Sequence, residues 1–325
     1  MAEAGLDAAA RAGDDVARTP MLISRGQALW SAGRDEEALS GCLAGEQLAV
    51  ATGWTTAAAY LSHHIGWLHL EQGRLADADV WLHRALELTK DDQLGHVRAV
   101  ALNGLGVMRL WQGDLLDAAE LLNAALAINE ATGRETSALA NRGNLASALR
   151  QLGAEAHASA LLTEVLAAYR KMSNMRGELS TLDELSQLHS QRGDAATALE
   201  VARRAHDMAI AVHDRKATAQ TAATVAQAHL ALGDATAAAQ WFEHCVTIAH
   251  DTYPFVEAQA LIGLATARLR TGDPTSASYT AEQAARIAGS HGFRLLEKRA
   301  LAALRASTRP GRTGMDGPPP RIVHP

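Results

Sequence analysis

Residues 101–126 read ALNGLGVMRLWQGDLLDAAELLNAAL. Ala101, Leu102, Leu105, Met108 and Leu110 recur at three- and four-residue steps, and Leu115, Leu116, Ala119, Leu122, Ala125 and Leu126 continue the pattern beyond Gly113. That is the 3.6-residue period of an amphipathic helix, interrupted once. Gly113 is the interruption, and Asp114 behind it is placed to cap the second helix. The stretch therefore predicts helix, tight turn, helix. Gly106, seven residues before the turn, and Ala118, five after it, are small. They mark where the two helices approach most closely, because a larger side chain there would force them apart, at about 1–3 kcal/mol.

The same pattern extends in both directions. Turn glycines stand at Gly33, Gly73, Gly113, Gly153, Gly193, Gly233 and Gly272, spaced by 40, 40, 40, 40, 40 and 39 residues. The column five residues later is alanine throughout, from Ala38 to Ala277, and the column seven residues earlier reads Gly26, Gly66, Gly106, Ala146, Ser186, Ala226 and Ala265. Asp194, Asp234 and Asp273 repeat the capping position of Asp114, and Pro274 occupies a first helical position, where its missing N–H is not needed. A second set of turns falls half a repeat later, at Gly53, Gln93, Gly133, Ser173, His213, Tyr253 and Gly292. Fourteen helices in seven pairs follow, each pair burying its apolar face only by stacking on its neighbours. Such an array is built to bind.

At this point the columns resemble the tetratricopeptide repeat, in a form of about 40 residues per unit rather than the more usual ~34. Leu105, Gly106, Ala118 and Ala125 match that signature in the third unit, and Ile65, Gly66, Ala78 and Ala85 match it in the second. The resemblance implies an all-α fold: a right-handed superhelix, or α-solenoid, of about seven helix-turn-helix repeats plus a C-terminal capping helix. The expected organisation has residues 1–13 as the end of a preceding second helix and 20–292 as seven repeats. Residues 293–307 form the cap, and 308–325, with five of the eight prolines, a disordered tail. The start within a repeat favours the C-terminal part of a longer polypeptide. In the cap, Leu295, Leu296, Leu301 and Leu304 are expected to cover the last pair while Lys298, Arg299 and Arg305 face water.

Composition narrows the function. Only 4% aromatic residues suit close helix packing, and the net charge of −6 gives no reason to expect nucleic-acid binding by the array. No run of apolar residues approaches the ~18 needed to span a membrane. Cys42 and Cys245 lie in distant units of an extended array and read as buried free thiols, which makes a cytoplasmic protein the simplest expectation. No cofactor motif is present: Gly104-Leu-Gly106 belongs to the packing column, not to a phosphate loop. His64 and His69, five apart, lie about 140° apart around a helix and offer no metal site. His69, His189 and His229 share one repeat phase, completed elsewhere by Arg109 and Arg268. A polar, partly exposed helix edge accounts for them, and a pH- or anion-responsive stripe is the alternative.

If the fold is that of the tetratricopeptide family, the first helices line a concave groove. Positions six and ten before the turn glycine share one face and include Trp67, Val107, Gln187 and Gln227, and His63, Asn103 and Asp183. With Tyr60, these are the candidate binding residues: amides for a peptide backbone, and Trp67 and Tyr60 as aromatic anchors. The two-lysine clamp for carboxylates is not matched, since the groove columns hold no lysine. The Ala-, Arg- and Gly-rich units, with Leu29-Trp-Ser-Ala-Gly-Arg34 and Glu257-Ala-Gln-Ala-Leu-Ile-Gly-Leu-Ala265, look like the C-terminal repeat region of actinobacterial SARP/AfsR-type regulators and related STAND ATPases. That resemblance implies a signal-sensing array of a transcriptional regulator. Its partners would be a peptide or protein, other domains of the regulator, or a small effector. A free-standing scaffold is the alternative, and an enzyme using groove histidines a third, which requires His63, His69, Asp183 and His189 to converge.

Overall fold

The computed structural model describes residues 21, 22, 24–26, 29, 34–90 and 95–308; the partial repeat expected at 1–13, Gln93 and the tail beyond Thr308 lie outside them. The described residues between 21 and 29 are helical. They are followed by α1 (Asp35–Ala51), α2 (Thr55–Glu71), α3 (Leu75–Leu88), α4 (Gly95–Gln112), α5 (Leu115–Ala131), α6 (Glu135–Gln151) and α7 (Glu155–Lys171). The chain continues through α8 (Met175–Gln191), α9 (Ala195–Ala211), α10 (Arg215–Ala231), α11 (Ala235–Ala249), α12 (Pro254–Arg270), α13 (Pro274–His291) and α14 (Arg294–Thr308). Among the described residues there is no strand.

The small-residue columns do what their spacing implies. A methyl group built on Gly106 would stand 2.7 Å from Leu122 Cγ, and one on Gly66 2.8 Å from Leu82 Cγ. Where the column carries serine, Ser186 Oγ donates to the Ala198 carbonyl at 2.7 Å, so its hydroxyl is satisfied inside the hairpin. The turns at Gly73, Gly153, Gly193, Gly233 and Gly272 close as at Gly113, whose N–H reaches Leu110 O at 3.2 Å while Asp114 N reaches Arg109 O at 2.9 Å. These are the paired hydrogen bonds of a helix ending on a left-handed residue. Asp194, Asp234 and Asp273 accept from the N–H groups of Thr197, Ala237 and Ser276 as expected. Asp114 is a correction: its carboxylate makes no cap and instead accepts from Arg294 Nη2 at 2.5 Å.

First helices form an inner layer. α2 packs on α4, α4 on α6, α6 on α8, α8 on α10, α10 on α12 and α12 on α14, whereas among the described residues the second helices make no comparable contacts with one another. The inner layer is the tighter one, so the concave side belongs to the first helices.

The array is not open-ended. The superhelix turns back until its early units meet its last ones, with α4 against α14. Trp111 stacks on Phe255 with ring centroids 4.5 Å apart and meets Phe293 edge-on at 6.1 Å. Leu70, Leu82, Leu105 and Met108 share one buried cluster with Ala258, Ala288, Phe293 and Leu296. Lys216 pairs with Glu71 and lies over the Trp111 ring, and His291 Nδ1 sits 3.2 Å from the Gly73 carbonyl. Turn glycines make the approach possible: a methyl on Gly113 would come within 3.0 Å of Leu295 Cβ, and one on Gly73 within 2.7 Å of His291 Nδ1. The cap is therefore also a seam element. Leu296 and Ala300 are buried, Leu295 abuts the α4–α5 turn, and Leu301 is exposed. Cys42 and Cys245 stay apart even in the closed array, free and buried in different clusters, with burial raising their thiols to about 11 and about 12.

Candidate functional site

All eight groove positions lie on first helices and are half-buried: Tyr60, His63 and Trp67 on α2, Asn103 and Val107 on α4, Asp183 and Gln187 on α8, and Gln227 on α10. They do not form a single patch. Trp67 and Val107 pack against the cluster that joins α2–α4 to α12–α14, together with Trp111, Phe255 and Ile262. The Trp67 Nε1 is buried there without a partner among the described residues. Around it, Tyr60 meets His64 edge-on at 4.5 Å and His63 lies 6.4 Å from the Trp67 ring. Burial, reinforced by His64, lowers the His63 imidazole to about 3, and burial lowers His64 to about 4, so both are neutral at physiological pH.

Further along, α4 and α6 carry a row of amides. Asn129 Nδ2 donates to Asn141 Oδ1 at 2.6 Å, and Asn141 Nδ2 donates to Asn103 Oδ1 at 2.8 Å. Asn144 Nδ2 donates to the same Asn103 oxygen at 2.9 Å. With its oxygen doubly used, Asn103 keeps its NH₂ group for a partner outside the row, and Asn144 keeps its carbonyl. One donor and one acceptor side by side complement a peptide group. Beside them Gly143 faces open space, and a cavity of about 130 Å³ lies among α6, α7 and α8, with Asn144, Thr181 and Glu184 on its polar side and Leu162, Val165 and Tyr169 on its apolar side.

On α8 the chemistry turns ionic. Arg150, 8% exposed, directs Nε to Glu184 Oε2 at 3.1 Å and Nη2 to Gln187 Oε1 at 2.8 Å. That second bond fixes the Gln187 amide, whose nitrogen donates to Asp183 Oδ2 at 3.1 Å. Asp183 Oδ1 is buried and unpartnered among the described residues. Burial is the main cause that raises this carboxyl to about 6, with Glu184 adding to it and Thr224, Gln187 and Arg150 opposing.

The four groups that an enzyme would need do not share a centre. His69 lies 3.8 Å from Asp77 and His189 3.4 Å from Asp194, each facing the turn after its own helix, while His63 neighbours His64, and Asp183 neighbours Gln187. Each member of the His/Arg phase approaches a carboxylate, but not the same one: His69, His189 and His229 approach Asp77, Asp194 and Asp234 just after their own helices, whereas Arg109 and Arg268 approach Asp79 and Glu243 on the preceding second helix. The edge is less exposed than expected, since His69 and His229 are buried. Among the described residues no three His, Cys, Asp or Glu side chains gather as a metal site requires, and no helix is long and apolar enough to cross a membrane.

Asn141, Asn144, Arg150, Glu184 and Thr224 were not singled out by repeat phase. A compositional signal was available for part of the set: four of the chain's six asparagines form the one row. Arg150 gives no such signal, because it is one arginine among many.

The description "Tetratricopeptide repeat" matches residues 59–91, 97–171 and 219–252. No curated protein matches the chain. Among solved structures, the chain is similar to a Rap protein complexed with competence and sporulation factor, with TM-score 0.68 and 14% identity over 89% of this chain and 85% of that one. It is similar to NprR in complex with its cognate peptide NprX, with TM-score 0.63 and 13% identity over 76% and 71% of the two chains. A STAND protein with a tetratricopeptide-repeat sensor from Pyrococcus horikoshii gives TM-score 0.56 and 16% identity over 83% of this chain and 43% of that one. These identities speak to the fold. Paired helices at a 40-residue pitch, glycine-tight hairpins and first helices layered on the concave side make this chain an α-solenoid of tetratricopeptide repeats.

Proposed function

We propose that the array binds an extended peptide, or a peptide-like segment of a partner protein, along the inner face of α4, α6 and α8. The observation that carries this is the Asn103–Asn144 pair, which leaves one amide donor and one amide acceptor directed away from their mutual hydrogen bonds. Affinity would come from the backbone, and specificity from the neighbouring cavity and the ionic groups of α8. First helices spaced about 8–10 Å apart make the α4–α8 track roughly 20 Å long, enough for about six extended residues at ~3.3–3.6 Å each. The peptide complexes of the Rap protein and NprR are consistent with this reading.

The test is selection of peptides from a displayed heptapeptide library, followed by affinity measurements on variants. Asn103→Ala and Asn144→Ala are expected to weaken the selected peptide by about tenfold each, in line with one lost hydrogen bond of about 1 kcal/mol plus an unpaired neighbour. Unchanged affinity in both removes the amide row from the site.

The wider context we propose is the sensing part of a SARP/AfsR-like or STAND-type cytoplasmic regulator, in which a bound ligand favours one superhelical curvature by its differential affinity for the two. The tetratricopeptide sensor of the archaeal STAND protein supports this reading, and a free-standing adaptor is the alternative. An in-frame DNA-binding or nucleotide-binding domain encoded upstream of Met1 separates them.

A further inference from the structure

We propose that Asp183 is the receptor for a cationic side chain, lysine or arginine, of the bound peptide. This rests on the peptide-binding reading above and names the ligand's charge at one point along the track.

The argument is one of charge balance. Arg150 is already committed, with Nε on Glu184 and Nη2 on Gln187. Glu184 and Arg150 cancel, and Asp183 remains without a counter-ion. Its Oδ2 is held by Gln187, whose orientation Arg150 dictates, and α10 turns the Thr224 hydroxyl toward the carboxylate. Oδ1 accepts nothing among the described residues. Burial, with Arg150 adding to it, depresses the pKa of Arg299 on α14, and its guanidinium forms no ion pair among the described residues. A buried carboxylate with a fixed orientation and an unused oxygen is costly in the empty groove, and a ligand cation removes that cost. Neutral hydrogen-bond donors would satisfy the oxygen but leave the charge unmatched.

Titration gives the proposal a second signature. Burial holds the carboxyl at about 6, so it is largely ionised at pH 7.5 and protonated at pH 5. A cation binds the ionised form, and therefore affinity is retained above pH 6 and falls as pH drops through it, approaching tenfold per unit.

The experiment is a positional-scanning heptapeptide library with acetylated amino termini, applied to the full chain at pH 7.5 and pH 5.0. A parallel arm with free amino termini tells a side-chain cation from a terminal ammonium. The expected result is one position preferring lysine or arginine at least tenfold over neutral residues at pH 7.5. That preference shrinks at pH 5.0 and is lost at that position in Asp183→Asn, while the rest of the motif persists. The comparison of the two pH values in the unaltered chain stands even if the variant folds poorly. A motif with no basic position, a preference confined to the free amino terminus, or a basic position unchanged in Asp183→Asn overturns the proposal. Retention of no peptide at all overturns the peptide-binding reading itself.

Discussion

A glycine inside a helix has no fixed meaning, and two of them in this protein have opposite ones. Gly106 of α4 lies where a methyl group would stand 2.7 Å from Leu122 Cγ and 2.9 Å from Leu122 Cδ2, whereas Gly143 of α6 has nothing within 4 Å. Gly106→Ala is expected to destabilise by about 1–3 kcal/mol through overpacking. Gly143→Ala is expected to stabilise by up to ~1 kcal/mol, because it removes backbone freedom from the unfolded chain and improves helix propensity. Urea unfolding of both variants checks this, and shifts of the same sign would refute it. Repeat phase had separated the two residues: Gly106 stands in the column seven before a turn and Gly143 in the groove column ten before one. Asp114 shows the limit of such reasoning at a single residue. Its position matches three capping aspartates, yet its carboxylate is taken by Arg294, 180 residues away in sequence.

Among elements, α2 concentrates polar groups in an apolar setting. His63 and His64 are neutral in the fold, at about 3 and about 4, both through burial and both below the ordinary histidine value of 6.5. The folded state thus binds fewer protons than the unfolded one in acid. Their contribution is intact above pH 6.5 and is lost as pH falls toward 4, by up to about 1.4 kcal/mol per pH unit for each residue. The urea midpoint is expected to fall between pH 7.5 and pH 5.0, and to fall less in His63→Asn. A midpoint that does not move between those pH values would contradict the burial of the pair. The element boundaries were largely legible from turn chemistry and period, because helix termini answer to a few local residues. The groove column was legible only as a face. Which of its members meet solvent depends on neighbours: Trp67 and Val107 pack at the seam, while Asn103 joins an amide row and Asp183 an ionic network.

At the scale of the whole molecule, the seam is the feature that an open solenoid lacks. Trp111, between Phe255, Phe293 and Lys216, is its apolar centre, while the Arg294–Asp114 pair is solvent-exposed and contributes little. Trp111→Ala combined with Arg294→Glu is expected to open the array, because each unit keeps its own stacking contacts when the seam is lost. Small-angle scattering should then report a larger radius of gyration with helical circular dichroism retained. An unchanged radius would show that curvature is set by the unit-to-unit contacts alone. The closed form also bears on ligand access, since a peptide on the inner face lies inside a superhelix whose early and last units touch.

Helix, turn and hairpin packing could be read from residue order because they depend on interactions within about 40 residues: a 3.6-residue period, a left-handed turn, two small side chains at closest approach. Closure could not be read that way. It is the sum of small rotations from unit to unit, and no column of residues displays that sum. The same holds for the polar groups in the groove. Repeat phase put Asn103 and Asp183 on the correct helices, but only the packing of α4, α6, α8 and α10 spent one amide oxygen twice, committed Arg150 to Glu184 and left Asp183 with an oxygen and a charge unmatched.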